Sequence, residues 1–417
     1  MATTVFYVFA FISVYVQVFL LVTFLERRRE IRCLPTERLG EDDTLTLSYF
    51  PSVTAVVPCW NEEQTLEHTV RSLLEINYPQ NKLQIFLVDD GSTDGTLERM
   101  RTFKKYPNVK IFHKENGGKY TALNLALEHC QTEIFGCLDA DSFAHPQALR
   151  RMIGYFADPQ TMAVVPAALI SRPRNLLEKC QKIEYEWAVY IKKTLGFLNA
   201  LHVTPGTFSI FRRKVFDLVG PYRQAHNTED MEIAYRIQKH HLKIEQCNDA
   251  YFYTIAPRSI GKLFKQRLRW IYGFLNNTLD YRHMLFKPQF GHFAVFTVPA
   301  GLISVSSVLY IFGRIIGNLI EWVGDKLNQI SAVGWNLNLL FPHLDWFYFN
   351  TKSALFLFLF LFGLIIVSIL IGRYMTHGKF KFSLTIFYFM IIYSFLAPFW
   401  IIKAVWNTAR RKNPSWR

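Results

Sequence analysis

Asp89-Asp90-Gly91, Asn116-Gly117-Gly118-Lys119 and Asp139-Ala140-Asp141 occur in that order within one stretch of the chain. Acidic side chains on either side of a lysine are what a metal–diphosphate ligand needs: carboxylates for the cation and an ammonium for the phosphate oxygens. Further on come Thr204-Pro205-Gly206, Thr228-Glu229-Asp230 and the basic run Gln266-Arg267-Leu268-Arg269-Trp270. A helix over Ser259 to Tyr281 puts Gln266, Arg269, Trp270 and Gly273 within one face. A guanidinium there can hold a phosphate, and an indole can stack on a sugar ring. Each motif alone has a plainer reading. Asp90-Gly91-Ser92 is a common helix-capping turn, a lone DxD recurs by chance, and Trp with Arg is usual on an interfacial helix before a membrane span. Their succession is what points to a site. Neither GxGxxG nor GxxxxGK[ST] is present, which argues against dinucleotide and P-loop sites. A calcium loop fails too, because the twelfth position counted from Asp90 is Arg101, where a glutamate is needed.

The elements that must position these residues alternate. Val53 to Val57, Leu83 to Val88, Val109 to Phe112 and Ile134 to Leu138 read as strands. Glu62 to Ile76, Thr93 to Tyr106 and Tyr120 to Glu128 read as the helices between them. Such alternation predicts an α/β domain with a parallel sheet covered on both faces. Ligands of these sheets sit beyond the carboxyl ends of the strands. Pro58 to Glu62, Asp89 to Gly95, Asn116 to Lys119 and Asp139 to Asp141 are those ends.

Composition places this domain beside a membrane. Half of the 417 residues are hydrophobic and only 19% are charged, which excludes disorder and points to lipid-facing segments. Met1 to Leu25 carries no charge before Glu26 and is long enough to cross about 30 Å of hydrocarbon. It has no basic n-region or small-residue cleavage site, so it reads as an anchor and not a signal peptide. Phe293 to Gly313 and Ser353 to Gly372 are two further uncharged runs, and Phe382 to Ile402 is a fourth, containing Pro398.

The basic cluster Arg27 to Arg32 places the end of the first span in the cytoplasm. The stretch 314–352 balances Arg314, Lys326 and Lys352 against Glu321, Asp325 and Asp345, which suits the outer side. If 382–402 also crossed, Arg410, Arg411, Lys412 and Arg417 would end outside, so it is expected along the inner membrane face, with a fourth span as the alternative. The expected division is a transmembrane helix at 1–25, a cytoplasmic catalytic domain at 26–257 and an interfacial region at 258–291. A span at 292–313, an extracytoplasmic segment at 314–352, a span at 353–372 and an interfacial helix with a basic tail at 373–417 follow. All six cysteines precede the second span, without CxxC spacing, and read as reduced thiols. The net charge of +14 would also suit nucleic acid, but many of the basic residues flank membrane segments instead of forming an aromatic-interleaved patch.

Taken together, the sequence resembles the membrane-integrated, processive family-2 glycosyltransferases: cellulose, chitin, hyaluronan and poly-N-acetylglucosamine synthases. Asp89-Asp90-Gly91, Asn116-Gly117-Gly118-Lys119, Asp139-Ala140-Asp141, Thr228-Glu229-Asp230 and Gln266-Arg267-Leu268-Arg269-Trp270 carry the resemblance, over Val53 to Tyr281. It implies a GT-A (Rossmann-like) catalytic domain, a UDP-sugar donor and a growing polysaccharide as acceptor. It further implies that Asp89 or Asp90 and the loop Pro58, Asn61, Glu62 hold the uridine. Lys119, Arg267 and Arg269, with Gln266 beside them, meet the diphosphate. Asp139 lies near the donor and Asp141 binds Mg2+ or Mn2+. Asp230 is the general base with Glu229 beside it, Trp270 is the acceptor platform, and Thr204, Pro205 and Gly206 shape the acceptor site. Ser415-Trp416-Arg417 is similar to the short Trp/Arg ending of bacterial hyaluronan synthases, which gives Trp416 and Arg417 a gating role by analogy. The Thr-Glu-Asp form and the short chain favour a poly-N-acetylglucosamine type, in the cell membrane, its channel completed by interfacial helices, a small membrane partner or a homo-oligomer.

Overall fold

Val53 to Val57 is apolar or β-branched on both faces, so it fits only inside a sheet covered on both sides. In the structure, a computed structural model describing residues 2–31, 47, 49–334 and 353–412, it forms β1 (Val53–Cys59), buried along its length except at Pro58. β2 (Leu83–Asp90) and β3 (Val109–Lys114) extend the sheet in parallel on one side of β1, and β4 (Ile134–Leu138) pairs in parallel on the other. The helices between them are α2 (Leu66–Leu74), α3 (Thr96–Arg101) and α4 (Lys119–Glu128). Strand order reverses between β1 and β4, the place where an open α/β sheet leaves a ligand crevice.

Two helices are shorter than their periodicity suggests, and side chains explain both. Thr96 Oγ1 accepts from Glu62 N (2.8 Å) and Thr65 Oγ1 donates to Glu62 Oε2 (2.7 Å), so residues 62–65 form a turn before α2. Asp94 Oδ1 accepts from Thr96 N (3.0 Å), which delays the start of α3, and Thr102–Lys105 tightens into a 3-10 turn.

Beyond Asp141 lies a second half-sheet that alternation did not reveal. Its elements are β5 (Ser142–Ala144), α5 (Ala148–Gly154), β6 (Thr161–Ile170), α6 (Leu176–Phe197), β7 (Thr207–Arg212), α7 (Lys214–Val219), α8 (Glu229–Lys239) and β8 (Lys243–Thr254). The eight strands run β3-β2-β1-β4-β7-β6-β8-β5, with β7 antiparallel to β4 and β6. β6 contains Pro166 at a register shift between Val165 and Ala167, which conceals it as a strand in the sequence. This mixed sheet with a parallel half is the GT-A-like arrangement expected. Five cysteines (Cys59, Cys130, Cys137, Cys180 and Cys247) are free and buried, in keeping with reduced thiols; Cys33 lies outside the described residues.

The remaining helices are α1 (Ala2–Arg27), α9 (Ile260–Asp280), α10 (Val298–Val333), α11 (Ser353–His377) and α12 (Thr385–Ala409). Among the described residues four helices, all of these but α9, are long and apolar enough to cross a membrane. Expectation and structure differ in two places here. Helix α10 does not stop at Gly313 but runs on into the stretch assigned to an exterior segment, ending where Gly334 takes φ +79°. At about 1.5 Å per residue its 36 residues far exceed the thickness of the hydrocarbon. Helix α12 continues through Pro398 and extends to Ala409.

Helix α6 joins the membrane helices to the sheet. Gly372 of α11 crosses it so closely that an added Cβ would lie 2.3 Å from the Glu186 carbonyl oxygen. Glu186 is fully buried there, with Arg373 Nε at 3.0 Å and His377 Nε2 at 2.7 Å from its two carboxylate oxygens. Trp187 Nε1 donates to Ser368 Oγ (2.9 Å), and Arg27 of α1 donates to the Phe197 carbonyl at the end of α6.

Candidate active site

Successive residues of a strand point to opposite faces, and Asp89 and Asp90 divide accordingly. Each pairs with its register partner on β3. His113 Nδ1 meets Asp89 Oδ2 at 2.7 Å, and Lys114 Nζ meets Asp90 Oδ1 at 2.7 Å. Asp90 also accepts from Gly117 N (3.1 Å) and Gly118 N (2.9 Å), and Asn116 Nδ2 donates to its carbonyl (2.9 Å). Both acidic side chains are buried and hold the 113–118 loop in place. Gly91 makes this possible: φ is +69°, and a Cβ there would lie 2.6 Å from Asn116 N. Asn61, also at positive φ, ties the β1 loop to this turn through Ser92 Oγ (3.0 Å) and Thr93 N (2.8 Å). Pro58, Asn61, Glu62, Asp89 and Asp90 thus form one continuous rim.

The loop delivers Lys119 to the centre. Its Nζ lies 2.7 Å from Asp139 Oδ1 and 3.0 Å from Glu229 Oε1, bridging the DxD and TED motifs. Burial opposes the charge on this ammonium, but Asp139, Glu229 and Asp230 outweigh it and hold Lys119 well above the ordinary lysine value. Asp230 is pushed up to about 6, first by burial and then by Glu229, against the pull of Lys119 and Arg269. Asp141 is pushed up to about 7 by burial and by the like charges of Asp139 and Glu62. Thr204 ties the 204–206 loop to α8, its N (3.0 Å) and Oγ1 (2.7 Å) both donating to the Asp230 carbonyl. Gly206 accepts at its carbonyl from Asp139 N (2.7 Å), and a Cβ on it would sit 2.5 Å from the Asp139 carboxylate oxygens. Gly206→Ala is therefore expected to push the Asp139 carboxylate off Lys119. In steady-state kinetics kcat/KM should fall at least ~10-fold, the scale of misplacing one positioned group, while the melting temperature stays near wild type.

Gly273 decides where α9 lies. A Cβ there would come within 2.3 Å of the Thr228 side chain, and Asn277 Nδ2 donates to Thr228 Oγ1 (2.9 Å). Without a side chain at 273 the helix docks on the TED turn, which brings Arg269 within electrostatic reach of Asp230. The buried Gln266 Oε1 has no protein hydrogen-bond partner among the described residues. Arg267 requires a correction. Residues two apart on a helix do not face the same way, and its guanidinium is buried away from Arg269. It pairs with Glu184 Oε2 at 2.6 Å and lies over the Trp270 ring, 4.1 Å from the centroid. It is not at an open diphosphate site.

Four residues outside every motif complete the surroundings, three of them from α6. Glu184 holds Arg267, and Tyr185 lies within electrostatic reach of Arg267, Asp139 and Asp141. Burial lowers Lys192 to about 8 despite nearby Asp230, and lowers His202 to about 4 with help from the Lys192 charge. Only their place on a long helix and the following loop could have signalled them. Trp416 and Arg417 lie outside the described residues.

Among the described residues, no group of three or more His, Cys, Asp or Glu side chains is arranged to hold a metal by itself. The crowding of Asp139, Asp141 and Glu62 is nevertheless a concentration of negative charge that a cation would relieve.

Residues 54–220 match the family model described as Glycosyl transferase family 2. A poly-β-1,6-N-acetyl-D-glucosamine synthase of Staphylococcus epidermidis is 31% identical over 224 residues, covering 53% of this chain and 54% of its own. One of Staphylococcus aureus is 29% identical over 248 residues, 59% of each chain. The chain thus matches little more than half the length of these curated relatives. A solved mannosyltransferase, PcManGT from Pyrobaculum calidifontis in complex with GDP-Man and Mn2+, superposes with a TM-score of 0.60 at 18% identity, over 97% of this chain and 99% of its own. That likeness is one of fold.

Proposed function

We propose, starting from the match of residues 54–220 to the glycosyl transferase family 2 model, that this chain is a processive inverting glycosyltransferase. It polymerises sugar from UDP-N-acetylglucosamine into a β-linked polysaccharide and passes the product across the membrane. The observation that carries this reading is the Lys119 bridge between Asp139 and Glu229, with Asp230 next in sequence and α9 docked on the same turn. Donor-side and acceptor-side groups are thereby one unit. The names of the staphylococcal relatives support N-acetylglucosamine as the sugar.

Asp230 takes the proton of the acceptor hydroxyl, which otherwise ionises only far above neutral pH. The hydroxyl oxygen attacks the anomeric carbon as the bond to the diphosphate breaks, so one displacement inverts that centre. Negative charge builds on the leaving diphosphate, and Lys119 and Arg269 offset it. Asp141, with Asp139 near it, would hold Mg2+ or Mn2+ together with donor phosphates, a pattern suited to a site with few carboxylates of its own. Bound there, the cation would supply further charge neutralisation for the leaving group. Trp270 offers the acceptor sugar a flat apolar face. The apolar helices let a product whose hydroxyls could not be satisfied in lipid leave as it is made. This orientation keeps the catalytic domain cytoplasmic in a multi-pass membrane protein.

The test is to give the purified full chain UDP-N-acetylglucosamine, UDP-glucose or GDP-mannose separately, with Mn2+ or with chelator, and to measure nucleotide release and product length. Metal-dependent release from UDP-N-acetylglucosamine with a long product is expected. Addition of a single sugar would overturn processivity, and release from another donor alone would overturn the sugar assignment.

A further inference from the structure

Arg267 is a buried cation whose one anionic contact among the described residues is Glu184, with the Tyr393 and Tyr185 side chains also beside it. Its side chain is 5% exposed, Nη2 meets Glu184 Oε2 at 2.6 Å, and neither Nε nor Nη1 has a hydrogen-bond partner within the described residues. Its guanidinium carbon sits 4.1 Å from the centroid of the Trp270 ring, well inside cation–π range. The same Glu184 oxygen accepts from Tyr393 Oη at 2.7 Å. Three elements that are remote in sequence therefore meet at one carboxylate oxygen: α6 through Glu184, α9 through Arg267 and α12 through Tyr393.

We propose that Glu184 is a positioning residue for the acceptor platform: steadied by the Tyr393 hydroxyl of α12, its carboxylate fixes the Arg267 guanidinium over the Trp270 ring and so sets the plane of the indole. This rests on the reading of Trp270 as the surface that carries the acceptor sugar. The physical argument is one of alternatives. Burying a guanidinium is costly unless a counterion is present, and Glu184 is the counterion. Without it Arg267 leaves its place and the ring loses the group that fixes it on one side. Tyr393 adds a hydrogen bond that keeps the carboxylate from rotating towards solvent. Glu184 touches neither reacting group, so the effect should fall on the acceptor alone. An apolar helix thereby reaches the sugar site with a single hydroxyl.

Two readouts test this in the purified full-length protein. The first is kinetic, using UDP-N-acetylglucosamine as donor and a β-1,6-linked N-acetylglucosamine tetrasaccharide as acceptor. Glu184→Ala should raise the acceptor KM at least tenfold, with donor KM and acceptor-free donor hydrolysis within twofold of wild type. Glu184→Gln, which keeps the hydrogen-bonding oxygen but loses the charge, should fall between. Tyr393→Phe should raise the acceptor KM two- to fourfold alone and, because Tyr393 serves both Glu184 and Arg267, add less than its own factor to Glu184→Ala. Parallel loss of donor and acceptor affinity would reduce Glu184 to a structural brace and overturn the proposal. The second readout needs no turnover: fluorine NMR of 5-fluorotryptophan-labelled protein, with the Trp270 resonance assigned from Trp270→Phe. That resonance should shift or broaden in Glu184→Gln, and an unchanged resonance overturns the proposal even if the wild-type protein proves to use another donor. Absence of any sugar transfer by wild type, with the resonance moved, would refute the polymerase reading and leave the positioning role standing.

Discussion

Asp230→Asn is expected to abolish polymer formation, lowering kcat by ~10²–10⁴, the usual range for loss of a general base. Asparagine keeps the shape and can still accept from Met231 N, as Asp230 Oδ1 does at 2.9 Å, but it cannot take a proton. The tie from Thr204 runs to the Asp230 main-chain carbonyl, so the acceptor loop should stay in place. UDP binding, measured by calorimetry, should remain within about threefold of wild type, an order-of-magnitude bound for an uncharged contact. Wild-type-like turnover would refute the base assignment. The pH profile gives a second check. The base must be ionised, and burial with Glu229 raises Asp230 to about 6. The rate should therefore level off above pH 6 and fall tenfold per unit below it. A rate that stays flat down to pH 5 would leave Asp230 without this role.

Lys119→Gln should be the other large loss, with kcat down by ~10²–10³, comparable to removal of one preorganised donor to a developing charge. Lys119 has two duties. On the proposed reading it offsets the leaving diphosphate, and within the protein it separates Asp139 from Glu229 at 2.7 and 3.0 Å. Once it is neutral, Asp139, Glu229 and Asp230 repel one another with only Arg269 left to offset Asp230. Lys119 is among the groups that lower the Asp230 pKa, so its removal must raise that pKa and move the acid limb of the rate profile to higher pH. A lower kcat with an unmoved acid limb would confine Lys119 to the donor. A moved limb with donor affinity intact would confine it to the carboxylates.

The parallel half of this site was legible because its physics is local. Short β-branched runs such as Ile134 to Leu138 form strands, and glycine-bearing turns after them aim their neighbours, so Asp89, Lys119 and Asp139 could be placed by counting along the chain. Asp230 and Arg269 came from the motif resemblance, and the docking of Gly273 on Thr228 explains why those motifs meet. Arg267 was misassigned although helix geometry alone argued against it: a turn of 200° separates it from Arg269, so one diphosphate could not collect both. What spacing could not supply was its partner, since Glu184 lies 83 residues away and Tyr393 lies 209 residues beyond Glu184. Lys192 and His202 were missed for the same reason. Helix α10 ran past Gly313 because Arg314, Glu321, Asp325 and Lys326 are all good or tolerable helix residues, and charge ends a span without ending a helix.

The buried Glu186 bears on how the protein is made. Its partners Arg373 and His377 lie nearly half the chain away, His377 by 191 residues. At about 5–20 residues per second a ribosome needs roughly 10–40 s to supply them. Throughout that interval Glu186 has, among the described residues, only Lys182, one turn earlier on α6 at 3.9 Å, to offset its charge, and the face of α6 that Gly372 later crosses stays open. The domain matures only when the last helices have entered the bilayer and closed over it. A chain that stops before Arg373 is therefore expected to leave Glu186 without the two partners that α11 supplies.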